Sequence, residues 1–158
     1  MTTKHYLFDW GNTLMVDNPN YSGPMCDWPR LDVIAGAKTY VERLSQQGRC
    51  HLATNARDSG LNQIRQALQK AGLNAYIDQV FCYENLGCGK NDTHYFHAIL
   101  RHLDVTASDV TMIGDSLEND IYPALSAGLK ALWYNPHRHP IPIALASHVH
   151  FGEVGAFI

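Results

Sequence analysis

Apolar residues in this chain come in short runs that alternate with longer stretches of helical spacing. HYLFD (5–9), RCHLAT (49–54), DQVFCY (78–83), DVTMIGD (109–115) and KALWYN (130–135) are brief, rich in aliphatic or aromatic residues and bounded by polar or turn-forming positions. Each predicts a buried strand. HVHF (148–151) offers a sixth. Between these runs, Val33, Ala37, Tyr40, Val41 and Leu44 share a helical face, as do Leu61, Ile64, Leu68 and Ala71, and Tyr95, Phe96, Ile99 and Leu103. A fourth helix is expected around 119–127, ending at Gly128. Strand and helix in alternation imply right-handed crossovers. The expected fold is therefore α/β, a Rossmann-like parallel sheet of five or six strands with helices on both sides and ligands beyond the strands' carboxyl ends.

Residues 10–32 break the alternation. This stretch carries Pro19, Gly23, Pro24 and Pro29 without clear periodicity, and it leaves the end of the first strand, where a ligand is expected. Two readings stand side by side: a flap that touches substrate through Tyr21 and Trp28, or an irregular surface loop tucked onto the sheet.

At 158 residues the chain has room for one compact core, so residues 1–158 are expected to form a single domain with 10–32 as a flap segment. Hydrophobic residues are 46%, charged residues 17% and the net charge is −3, the balance of a soluble globule. No basic run supplies the counterion release that drives nucleic-acid binding, and no apolar run approaches a bilayer span, so neither partner is expected. The N-terminus lacks signal-peptide character, and Cys26, Cys50, Cys82 and Cys88 show no CxxC spacing. Reduced thiols and a cytoplasmic location follow as expectations.

The chemistry concentrates where predicted strands or strand-like turns end: Asp9; Thr54 with Asn55; Lys90; and Asp115 with Asp120. In a parallel sheet those ends converge. Paired carboxylates there suit a hard divalent cation such as Mg2+, while an ammonium and a hydroxyl complete a pocket for phosphoryl oxygens. Taken singly each residue has a plainer role: Asp9 can cap a turn, Thr54 can be a satisfied strand-end hydroxyl, and Asp120 can stabilise a helix N-terminus. Asp92, just before an apolar helix, is expected to cap it. His148 and His150 would share a face if HVHF is a strand, but no third ligand is spaced to complete a zinc site.

The ordered set resembles the motifs of the haloacid dehalogenase (HAD) superfamily of aspartate-nucleophile hydrolases. DWGNT (9–13) is similar to its first motif DxDxT, LATN (52–55) to the second, GKNDTHYF (89–96) to GKPDPxxF and GDSLENDI (114–121) to GDSxxND. The resemblance implies an aspartyl phosphate on Asp9, with Mg2+ held by Asp9, Asp115 and the Gly11 carbonyl. It further implies a phosphoryl group held by Thr54 and Lys90, with Asp120 positioning Lys90 or a metal-bound water and Asn55 and Ser116 in support. A small phosphorylated substrate follows, reached under a short flap in place of a full cap domain.

One position departs from the pattern. Family phosphatases use the second Asp of DxDxT to protonate the leaving alcohol and then to activate water, and this chain has Gly11 there. A positioned acid/base contributes roughly 10²- to 10⁴-fold, so the expected enzyme is a Mg2+-dependent phosphohydrolase that is slow or selective for good leaving groups. The alternatives are a catalytically silent binding module on the same fold and, third, hydrolysis of the phosphonatase or dehalogenase type. The first of these third-rank chemistries needs a cap lysine that Trp10 to Ala37 does not contain. His51, Arg57 or a histidine near the flap are candidates to replace the acid. A homo-oligomer whose neighbouring subunit covers the site and supplies that group is left open.

Overall fold

All four side chains of β1 (His5–Phe8) are buried, which requires cover on both faces of the strand and marks it as central. In the computed structural model, which describes residues 2–157, β1 lies between β2 (Arg49–Ala53) and β4 (Val110–Gly114). The sheet has six parallel strands in the order β3-β2-β1-β4-β5-β6, with β3 at Gln79–Phe81, β5 at Lys130–Tyr134 and β6 at Phe151–Val154. The chain runs outward from β1 through β2 to β3 and then returns to the other side of β1 as β4. The reversal falls between β1 and β4, the crevice where an open α/β sheet binds its ligands.

The pleat divides the core in two. Tyr6 and Phe8 of β1, with Leu52 and Val80, pack under α1 (Ala37–Ser45) and α2 (Leu61–Lys70), which present Val41, Leu44, Ile64 and Leu68. Leu7, Phe81, Val110 and Met112 pack on the other face under α4 (His94–Leu103), through Tyr95, Phe96 and Ile99, and α5 (Tyr122–Ser126), through Ala124. The expected doubly covered parallel sheet is present. Among the described residues no helix is long and apolar enough to cross a membrane.

Several boundaries differ from the sequence reading. The polar residue closing each of four expected strands, Asp9, Thr54, Asp115 and Asn135, lies just past the strand end. Val33 precedes α1 and bridges Met15 instead. A single turn, α3 (Tyr83–Leu86), follows β3, with Asn85 accepting from the Cys82 amide and donating to the Val80 carbonyl. The helix expected at 119–127 is a π-helical turn, Leu117–Ile121, running into α5. The sixth strand starts at Phe151, because α6 (Ile143–Ala146) and the turn after it use up the preceding residues. His148 and His150 are consequently exposed in that turn rather than sharing a strand face.

Candidate active site

The β1–β4 ladder continues one residue past β1, as the Asp9 amide donates to the Ile113 carbonyl at 2.9 Å. This last rung fixes Asp9 at the sheet edge. Thr13, buried in the turn that follows, donates from Oγ1 to Asp9 Oδ2 at 2.9 Å and accepts from the Asp115 amide at 3.1 Å. Asp115 Oδ1 lies 3.2 Å from the same hydroxyl. One threonine thereby ties the end of β1 to the end of β4. The Thr54 amide likewise extends the β2–β3 ladder to the Phe81 carbonyl at 3.0 Å, leaving its side chain at the edge, where Oγ1 accepts from the Ala56 amide.

Lys90 reaches this edge from the loop before α4 and is 1% exposed. Its Nζ donates to Asp9 Oδ1 at 2.7 Å and to Asp120 Oδ1 at 2.8 Å. Its backbone amide donates to Asn55 Oδ1 at 2.9 Å, so Asn55 fixes the loop that carries the lysine. Asp120 is turned inward by the π-helical turn, a device common at functional sites, and its second oxygen accepts from the Ser116 amide at 3.1 Å. Ser116 Oγ caps the turn by accepting from the Asn119 amide.

Two glycines permit these approaches. A Cβ on Gly114 would stand 2.2 Å from Asp120 Oδ2, and one on Gly89 would stand 2.6 Å from Asn55 Oδ1. Neither position has room for a side chain while its neighbour keeps its place.

Three carboxylates share this space with one ammonium. Burial pushes the Asp115 carboxyl up to about 7, helped by the hydrogen bond and charge of Asp9. Burial likewise lifts Asp120 to about 6 against the pull of Lys90. Burial works in the same sense on Asp9, but Lys90, Asp115 and Thr13 outweigh it and hold Asp9 below the ordinary carboxylate value. Lys90 is held above its usual value because Asp9 and Asp120 overcome the burial penalty on its charge. Among the described residues, Asp9, Asp115 and Asp120 each offer an oxygen within 4.8 Å of the others. An all-oxygen donor set with two uncompensated negative charges fits a hard divalent cation. Asp120 spends one oxygen on Lys90 and the other on Ser116, and Asp9 one on Lys90 and the other on Thr13, whereas Asp115 accepts only from Thr13 and is the least committed of the three.

A cavity of about 620 Å³ opens over the edge, and all eight residues singled out from the sequence line it: Asp9, Gly11, Thr54, Asn55, Lys90, Asp115, Ser116 and Asp120. Residues 10–32 divide between core and cavity, and of the two aromatics weighed for a flap Trp28 lines the cavity whereas Tyr21 does not. Trp10, Leu14, Met15 and Cys26 are buried in the core, while Gly11, Asp17, Met25 and Trp28 line the cavity. Arg57 also reaches the wall, whereas His51 is buried in β2, stacked on His5 and away from the cavity. Sequence reasoning gave no role to Thr13 or Asp17. The terminal Thr of DWGNT was a signal for the former.

A family model for haloacid dehalogenase-like hydrolases matches residues 27–128. The chain belongs to the haloacid dehalogenase-like hydrolase family. Among curated relatives of this HAD chain, pyrimidine 5'-nucleotidase YjjG of Escherichia coli (strain K12) is 30% identical over 114 residues, 72% of this chain and 49% of the relative. The chain spans about half the length of the curated relatives it matches first. An uncharacterized protein from Listeria monocytogenes serotype 4b superposes on the HAD fold seen here with a TM-score of 0.81 and 25% identity, covering 98% of this chain and 92% of that one. The HAD hydrolase YfnB from Bacillus subtilis, solved bound to magnesium, has a TM-score of 0.65 and 27% identity, covering 79% of this chain and 52% of its own.

Proposed function

We propose that this protein is a Mg2+-dependent phosphohydrolase acting on a small phosphorylated substrate through an aspartyl phosphate on Asp9. The observation that carries the reading is the buried ammonium of Lys90, held 2.7 Å from Asp9 and 2.8 Å from Asp120 beside a third carboxylate, Asp115. Lys90 keeps Asp9 ionised and therefore nucleophilic, and Asp120 keeps Lys90 in place. Asp9 attacks phosphorus while Thr54 Oγ1 and Lys90 hold phosphoryl oxygens, with Asn55 and Ser116 bracing the loops that present them. Asp9, Asp115 and the Gly11 carbonyl would hold Mg2+, which when bound neutralises charge on the phosphoryl oxygens. Residues 10–32 serve as a minimal cap on a single domain. The name of the E. coli relative and the magnesium bound by the Bacillus relative agree with this reading.

The test is phosphate release from p-nitrophenyl phosphate and acetyl phosphate with Mg2+, in wild type and in Asp9→Asn. The reading requires activity that Asp9→Asn and chelation both abolish. Gly11 favours a second reading, a binding module without turnover. Absence of Asp9-dependent release across a panel of phosphomonoesters and acyl phosphates would select it.

A further inference from the structure

We infer that Asp17 supplies the proton donor and acceptor for which Gly11 has no side chain. The inference rests on the aspartyl-phosphate reading above. A Cβ placed on Gly11 would lie 3.4 Å from Asp17 Cβ and 3.6 Å from both Asp17 Cγ and Oδ2. The carboxyl of Asp17 thus stands in the space into which a side chain at position 11 would project, and it lines the same cavity as Asp9, Thr54 and Lys90.

The backbone that carries Asp17 is well fixed for a loop. Leu14 and Met15 are fully buried, and Met15 bridges Gly11 on one side and Val33 on the other. The Val16 amide donates to the Asp32 carbonyl at 2.8 Å, and the Asp17 amide donates to Asn12 Oδ1 at 3.1 Å. Asp17 is exposed and so sits at the cavity's mouth, while Asp9 lies at its floor with a side chain only 13% exposed. In-line displacement puts the leaving oxygen opposite the attacking one, on the mouth side. The two replacements named from the sequence fail on position or chemistry: His51 is buried away from the cavity, and the Arg57 guanidinium does not give up its proton.

In the first step Asp9 forms a bond to phosphorus, the ester P–O bond breaks, and a proton passes from the Asp17 carboxyl to the departing oxygen, releasing the alcohol. In the second, the Asp17 carboxylate takes a proton from water as the water oxygen attacks phosphorus. The P–O bond to Asp9 then breaks, inorganic phosphate leaves, and both carboxyl groups return to their starting states.

The experiment compares kcat/KM for an alkyl phosphate with that for p-nitrophenyl phosphate, whose leaving group needs no proton, in wild type, Asp17→Asn and Asp17→Asn with Gly11→Asp. For Asp17→Asn the alkyl-to-aryl ratio should fall by roughly 10²- to 10⁴-fold, the usual contribution of a positioned acid. Phosphoenzyme should accumulate after mixing with acetyl phosphate. Gly11→Asp, whose Cβ meets only ordinary contacts, should recover much of the ratio in that background. An unchanged ratio in Asp17→Asn, or equal losses on both substrates, overturns the inference while leaving the Asp9 chemistry intact. Absence of Asp9-dependent turnover in wild type overturns both and is recognised by the Asp9→Asn control.

Discussion

Replacing Lys90 with methionine keeps most of the side chain's length and removes its charge. The ammonium sits 2.7 Å from Asp9 and 2.8 Å from Asp120, and lysine and Asp120 are each 1% exposed. Breaking a buried pair by deleting one partner typically costs about 3–5 kcal/mol, because the remaining charge has neither water nor a counter-ion. Here the loss should depend on pH, since the stranded carboxyls can take up protons. Asp120 is already raised to about 6 by burial, and Lys90 is the group that restrains it. Without Lys90 it must rise further, and Asp9 must rise with it. A carboxyl raised in the folded state binds its proton more tightly there than in the unfolded chain, so its contribution to stability falls as pH climbs toward the folded value. In wild type that decline ends near 6 for Asp120. In Lys90→Met it continues above 6, at about 1.4 kcal/mol per pH unit for each proton retained. Urea unfolding in EDTA should therefore show a deficit that grows with pH and is larger by roughly 3 kcal/mol at pH 8 than at pH 5. Adding Asp120→Asn should recover part of the loss and flatten the pH dependence. A deficit that does not change between pH 5 and 8 would refute this account of the charge balance.

Other perturbations probe the same architecture from different sides. Gly114→Ala should force Asp120 from its place, given a 2.2 Å approach to its Oδ2; urea titration should register a cost of about 1–3 kcal/mol for overpacking, and Asp9-dependent phosphate release should fall more than stability alone accounts for. Mg2+ at a hundredfold excess over its Kd should stabilise the fold by about 2.7 kcal/mol, and Asp115→Asn should remove most of that gain in a thermal scan. The stacked pair His5 and His51, with ring nitrogens 3.0 Å apart, adds an acid-sensitive element. Burial first, then His5, Arg49 and His102, brings His51 down to about 3, and burial also lowers His5. His51 stays neutral in the fold while the unfolded chain protonates below 6.5, so stability falls as pH drops through that range, and the lowering of His5 acts in the same sense. Asp115 and Asp120 act in the opposite sense over the same range, so the quantity to measure is the difference from the double variant His5→Leu with His51→Leu. That difference should change by about 1.4 kcal/mol per pH unit below 6.5 from His51 alone, with His5 adding in the same direction; a constant difference would exclude the linkage.

The sheet was legible because strand length and helical spacing are local properties, and the gathering of eight candidate residues around one cavity was legible because each follows a strand or precedes a helix. Contacts made by glycine were not. In the sequence Gly114 falls inside an expected strand and Gly89 inside a motif, whereas their use is to let Asp120 and Asn55 approach a backbone, a property of two segments at once. Asp17 was missed for a related reason. It ends no strand and belongs to no periodic face, and its position is set by the pairing of Met15 with Val33 across the loop. Asp92 was read well as a cap: its carboxylate accepts from the His94 amide at 2.8 Å. His51 was misjudged because its neighbours in sequence say nothing about which face of β2 it occupies, and that face packs on His5 and Phe81.

The site's electrostatics explain why the four segments need one another. Asp9, Asp115 and Asp120 crowded together would repel, and a phosphate ester entering among them would add to the conflict. Lys90 answers only one of the three charges and is itself admitted to the core only because two of them flank it. The proton that burial fixes on Asp115 up to about 7 relieves a second charge, but a protonated carboxyl is a poor ligand and offers nothing to an anion. Exchange of that proton for a divalent cation makes the site one charge more positive, taking three carboxyls and one ammonium from a net negative to a balanced cluster that no longer rejects phosphate. On the phosphohydrolase reading, cation and substrate are coupled through charge alone, before any bond to phosphorus forms, and Asp9 serves as nucleophile because Lys90, Asp115 and Thr13 outweigh the burial that would raise it.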